Sequence, residues 1–109
     1  MIVKFISSEA GEMVMMAETA RILLRAIGKS CTAEGVIAKS EIPLAVAALT
    51  RHLDAIAPEK PREEDENAAR AVSLRQRAWP FLRMLNRTAQ SRKESHILWK
   101  AAADFESGS

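Results

Sequence analysis

Cysteine is almost missing from this chain: Cys31 stands alone among 109 residues. An intramolecular disulfide is therefore excluded, and the composition favours a reducing compartment. Aromatic residues are also scarce, with two Trp, three Phe and no Tyr, so a core has to come from Leu, Ile, Val, Met and Ala. The four glycines stand at 11, 28, 35 and 108 with no G-x-G among them, which excludes a glycine-rich phosphate loop. No apolar run approaches the ~20 residues of a membrane span. The opening MIVKFISSEAGE lacks the apolar stretch of a secretory signal and carries acids at Glu9 and Glu12. These absences lead to the expectation of a cytoplasmic protein of bacterial type.

What is present is ordinary globular material: 48% hydrophobic and 28% charged residues. The length suits one domain, and a domain of this size buries roughly 65% of the surface of its unfolded chain, enough to fold without disulfides or metal. Net charge is only +2, but it is unevenly spread. PEKPREEDE, residues 58–66, holds five acids and two bases, whereas residues 70–93 hold seven bases and no acid. Such asymmetry steers partners and says nothing about fold.

The local patterns give an α+β fold. Ile2, Val3, Phe5 and Ile6, then Met13 to Met16, predict a β-hairpin with a loop of about five residues around Gly11. Ala20, Leu23, Leu24 and Ile27 repeat at helical spacing over 17–27, and Gly28 suits the left-handed residue that closes a helix. Gly35, Val36 and Ile37 form at most a short extended piece. Ser40 is the expected N-cap of a second helix running to about Ala57, with Glu41 and Pro43 in its first turn. Its apolar stripe is Ile42, Val46, Leu49, Leu53 and Ile56. Residues 58–67 are expected as a solvated acidic linker. Ser73 and Gln76 fit a capping box that opens a third helix, whose apolar face is Leu74, Ala78, Phe81, Leu82, Leu85 and Ala89. Pro80 falls on the polar side and either kinks this helix or sits in its first turn. His96 to Trp99 read as a last strand, and 101–109 as a tail. The expected architecture is a small two-layer domain over 1–100. A three-stranded, mainly antiparallel sheet, made of the hairpin and the C-terminal strand, packs against about three helices.

Catalytic arrangements are weak. Cys31, His52 and Asp54 have the residue types of a nucleophilic triad, but His52 and Asp54 lie two apart on a helix and point about 200° apart. One cysteine and two separated histidines do not make a metal site, and Glu63, Glu64, Asp65 and Glu66 read as a solvated run rather than a cation site. No catalytic residue, cofactor or metal is assigned. The conspicuous segment is SLRQRAWPFLRMLNRTAQSRK, 73–93, with six cationic side chains and no carboxylate. Arg75, Trp79, Arg83 and Arg87 are its candidate anion-binding or partner-binding surface, since bases beside an exposed aromatic hold phosphates and stack bases. The competing reading makes these arginines the wet back of a core helix, stacked on Trp79. Met13, Met15 and Met16 similarly read as strand core or as an adaptable binding surface.

MIVKF, AGEMVMM, ARILLRAIGK, EIPLAVAAL and above all LRQRAWP followed by FLRML resemble the small proteobacterial proteins of domain of unknown function family 1840, from Met1 to about Trp99. The resemblance implies a small cytosolic domain without an assigned activity, cofactor or catalytic residue. The expected function is a non-enzymatic interaction or structural module with a protein partner. Weak, salt-dependent nucleic-acid binding through the basic helix face and a homodimer through a sheet edge remain as alternatives.

Overall fold

The computed structural model describes residues 1–56, 66–91 and 94–106. It has four strands, β1 (Ile2–Ser7), β2 (Gly11–Met16), β3 (Glu34–Ala38) and β4 (His96–Lys100), and three α-helices, α1 (Ala17–Ala26), α2 (Ile42–Ile56) and α3 (Glu66–Gln90). The strands form one antiparallel sheet in the order β2-β1-β4-β3. The α+β class and the helix layer agree with the sequence reading, but the sheet has four strands rather than three. The added strand is β3, whose Gly35 and Ala38 are poor strand formers. It exists because β4 lies inside the sheet and exposes a second row of backbone groups, which β3 satisfies along the register Val36↔Leu98.

Alternation sorts the two faces of the sheet. Val3, Phe5, Ile37, Ile97 and Trp99 are buried towards the helices, while Ile2, Lys4, Val14 and Val36 face away from them. The helices contribute Leu23 and Leu24, then Ile42, Leu49 and Leu53, then Ala78, Phe81, Met84 and Leu85. Phe5 and Phe81 meet edge to face at 5.0 Å and join the sheet to α3.

Several boundaries differ from expectation for local reasons. The hairpin turn is only Ser8–Ala10, held by the Ser7 hydroxyl, which accepts from the N–H groups of Glu9 (3.1 Å) and Ala10 (2.9 Å). Helix α1 ends as read, with Gly28 left-handed at φ 81°. Ser40 is not an N-cap: it lies inside a 3-10 turn, Lys39–Glu41, that leads directly into α2. The cap is made by Glu41, whose carboxylate accepts the Ala38 N–H at 3.1 Å. Ser73 is not an N-cap either, since α3 starts at Glu66 and includes the end of the supposed linker 58–67. The rest of that linker, including Glu63, Glu64 and Asp65, lies outside the described residues. Pro80 is inside α3 on its exposed side, so it does not start the helix.

The chain continues past β4 against the body. Phe105 is buried at 2% exposure. Its N–H donates to the Cys31 carbonyl (2.8 Å), and the Ala33 N–H donates to Asp104 Oδ1 (2.7 Å). Arg21 Nε donates to the Phe105 carbonyl at 3.0 Å. Glu106 accepts from the Cys31 N–H and from Arg25.

Candidate interaction surface

The 25-residue helix α3 carries the four candidate residues on its outer side. Ala78, Phe81, Met84, Leu85 and Thr88 are buried against the sheet and the other helices, which turns Arg75, Trp79, Arg83 and Arg87 to solvent. Trp79 is 63% exposed, a large apolar surface held on a rigid element. The position beside it, Pro80, has no N–H, so one rung of the helix ladder is absent on the solvent side, where water can take the free carbonyl.

Two grooves flank Trp79. One, of about 340 Å³, lies between α3 and the hairpin and is lined by Ala10, Glu12 and Met13 with Pro80, Arg83, Met84 and Arg87. The other, of about 280 Å³, lies between α3 and α2 and is lined by Thr50, Leu53 and Asp54 with Arg75, Leu82, Arg83 and Asn86. Arg83 borders both. The basic residues are not equivalent. Arg75 reaches across to Asp54 (3.7 Å), and Arg77 turns away to donate to Thr19 Oγ1 (3.3 Å). Arg83 and Arg87 have no carboxylate at ion-pair distance among the described residues. The structure thus brings Trp79, Arg83 and Arg87 to one groove and assigns Arg75 to an ion pair. Glu12, Met13 and Asn86 also line this surface. Met13 was legible only as one of the methionines open to a binding role, and nothing in the sequence pointed to Glu12 or Asn86, which come from another element or from a position without distinctive spacing.

The other titratable groups do not converge. Cys31 is fully buried between α1 and β3, and its thiol points to the Arg21 carbonyl (3.8 Å). Burial, followed by the nearby Glu106 charge, pushes that thiol above its ordinary value, the opposite of an activated nucleophile. Asp54, on α2 with His52, is engaged by Arg75. No group of three His, Cys, Asp or Glu side chains placed to hold a metal ion occurs among the described residues. No helix there is long and apolar enough to cross a membrane. A buried hydroxyl network does exist. The Ser7 hydroxyl meets Thr88 Oγ1 at 2.6 Å, Thr88 donates to the Met84 carbonyl (2.7 Å), and Ser95 donates to the Thr88 carbonyl (2.8 Å). It ties β1, α3 and the segment before β4 together, and every hydroxyl in it is satisfied.

The family model described as "Domain of unknown function (DUF1840)" matches residues 1–99. The chain belongs to this family. The match spans the sheet and all three helices and stops one residue before the end of β4, so the segment carrying Phe105 lies beyond it. The family carries no assigned function, and neither a curated protein nor a solved structure matches the chain.

Proposed function

We propose that this DUF1840 domain is a non-enzymatic interaction module that docks an acidic, partly apolar segment of a partner protein on the Trp79 surface. The observation that carries the reading is the exposed Trp79, set between two grooves on a rigid helix, with Arg83 and Arg87 beside it and unpaired among the described residues. Trp and Arg are the residue types that dominate binding energy at protein interfaces. The pairing of Arg75 and the turning away of Arg77 reduce the continuous basic stripe a nucleic-acid backbone would track. They leave a compact spot with one aromatic anchor.

The intrinsic fluorescence of the protein tests this, because Trp79 is exposed and Trp99 is buried. Titration with a short peptide of interleaved glutamates and leucines should shift the emission. Trp79→Ala should weaken binding at least about tenfold, and Arg83→Ala with Arg87→Ala should remove its salt dependence. A response to oligo-dT with none to the peptide would replace the proposal with the nucleic-acid reading. Silence with both would reject the surface.

A further inference from the structure

The sheet has two edges, and its pairing fixes which backbone groups each presents. The Ala17 N–H donates to the Met1 carbonyl (2.9 Å), in line with the register Val3↔Met15. Hydrogen-bonded and open pairs alternate in an antiparallel ladder. Gly11, Met13 and Met15 therefore bond to β1, while Glu12 and Val14 aim their N–H and C=O groups outward, as Met16 does its N–H; the Met16 carbonyl, at the N-cap position, belongs to the first turn of α1. β2 is the end of the sheet, and no described strand or loop bonds the remaining outward groups from that side.

The same argument applied to β3 gives a different edge. The Ala101 N–H donates to Ala33 (2.7 Å), so Glu34, Val36 and Ala38 face outward. There the Glu34 carbonyl accepts the Thr32 hydroxyl (2.6 Å), and the Ala38 N–H is held by Glu41 (3.1 Å). The β3 edge is closed at both ends, and the β2 edge is open from Glu12 to the Met16 N–H.

β2 is also apolar on both sides. Val14 and Met16 are exposed at 59% and 54%, and Met13 and Met15 are half-buried towards the helices. A groove of about 440 Å³ runs along the strand, with Thr19, Gln76, Arg77 and Pro80 as its far wall. Solitary edges are usually guarded by Lys, Pro or a bulge. The only charge on β2 is Glu12, and it is tied to Lys4 of the neighbouring strand at 3.5 Å.

We infer that β2 pairs with β2 of a second copy of this chain, antiparallel and two-fold about Val14, joining two four-stranded sheets into one. An isologous contact needs a strand complementary to itself, and GEMVMM meets that condition. A dyad at Val14 sets Val14 against its own counterpart and Glu12 against Met16, so the two Val14 residues exchange both backbone bonds and each Met16 N–H meets the Glu12 carbonyl of the other copy. The one charged residue faces a methionine, and no like charges stand directly opposite. The exposed Ile2, Val14 and Met16 of the two copies then form one continuous apolar surface.

Sedimentation over a wide concentration range reads the assembly directly. The wild-type chain should be a dimer. Val14→Lys places two like charges across the dyad and should weaken dimerisation about tenfold or more. Val36→Lys, on the closed edge, should leave it unchanged. In Val14→Cys the facing residues fall about 5.5 Å apart at Cα, within disulfide range. Mild oxidation should therefore yield a covalent dimer, while the buried Cys31 stays unmodified. A wild-type monomer throughout overturns the inference. So does a dimer indifferent to Val14→Lys, or one dissociated by Val36→Lys instead. Trp79→Ala should leave the dimer intact, so this result stands apart from the fate of the Trp79 reading.

Discussion

Gly35 is small because Trp99 occupies the space above it. A Cβ at Gly35 would lie 2.0 Å from the Trp99 ring. The indole spans the β3–β4 pair and donates from Nε1 to the Thr32 carbonyl at 2.9 Å. No turn or positive φ demands glycine here; the close approach of a buried aromatic does. Gly35→Ala should destabilise the fold by about 3 kcal/mol, at the upper end for overpacking, as the ring is driven from its site. Thermal melting should show a lowered midpoint, and Trp99 emission should move to the red. An unchanged midpoint would mean the ring has another place to go. Thr88 works on the same scale. It looks like a polar interruption on the buried face of α3, but its hydroxyl donates within the helix and receives the Ser7 hydroxyl, so its burial leaves nothing unpaired.

At the scale of elements, the start of α2 depends on one carboxylate. Glu41 accepts from the Ala38 N–H and pairs with Lys29. The Lys29 hydrogen bond first, and the Ala38 N–H second, hold its pKa below the ordinary value of 4.5. The folded state therefore binds this proton less tightly than the unfolded chain. The stabilisation is complete above the unfolded value and is lost as pH falls through the lowered folded value. The pair is partly exposed, so Glu41→Gln should cost only about 0.5 kcal/mol at neutral pH. Urea unfolding of both proteins at neutrality and at successively lower pH should show the gap shrink as Glu41 takes up its proton. A gap that persists would assign the effect to packing rather than charge. Helix α3 shows the other side of element-level reasoning. Its apolar spacing survives Pro80 because the proline faces water. Its true start lies at Glu66, seven residues before the capping pattern at Ser73.

For the molecule as a whole, the segment 101–106 closes the fold. Phe105 enters the core, and Asp104 and Glu106 bond the backbone of the loop that carries Cys31. Phe105→Ala should cost about 3–4 kcal/mol. It should also open the thiol, which burial keeps protonated, to labelling. Mass spectrometry of thiol-reagent adducts should find Cys31 slow in the wild type, fast in Phe105→Ala and intermediate in Phe105→Leu. Equal rates in all three would show that Phe105 does not guard Cys31.

What the sequence by itself determined was carried by neighbouring residues. The periodicity of 17–27, 42–56 and 74–89 marked three helices, and Gly28 marked the end of the first. Alternation at 2–6 and 13–16 marked the hairpin, and the LRQRAWP block marked the family. These signals are local, so burial of one face is enough to enforce them. Tertiary structure alone decided the rest, because the partners are remote in the chain. Glu34–Ala38 became a strand only because β4 needed a second neighbour, and Gly35 only because Trp99 lies over it. The basic stretch was legible as one face of a helix, but Asp54 and Thr19, from other elements, decided which of its arginines stay free. The open edge at Val14 likewise follows from strand order, which no run of consecutive residues encodes.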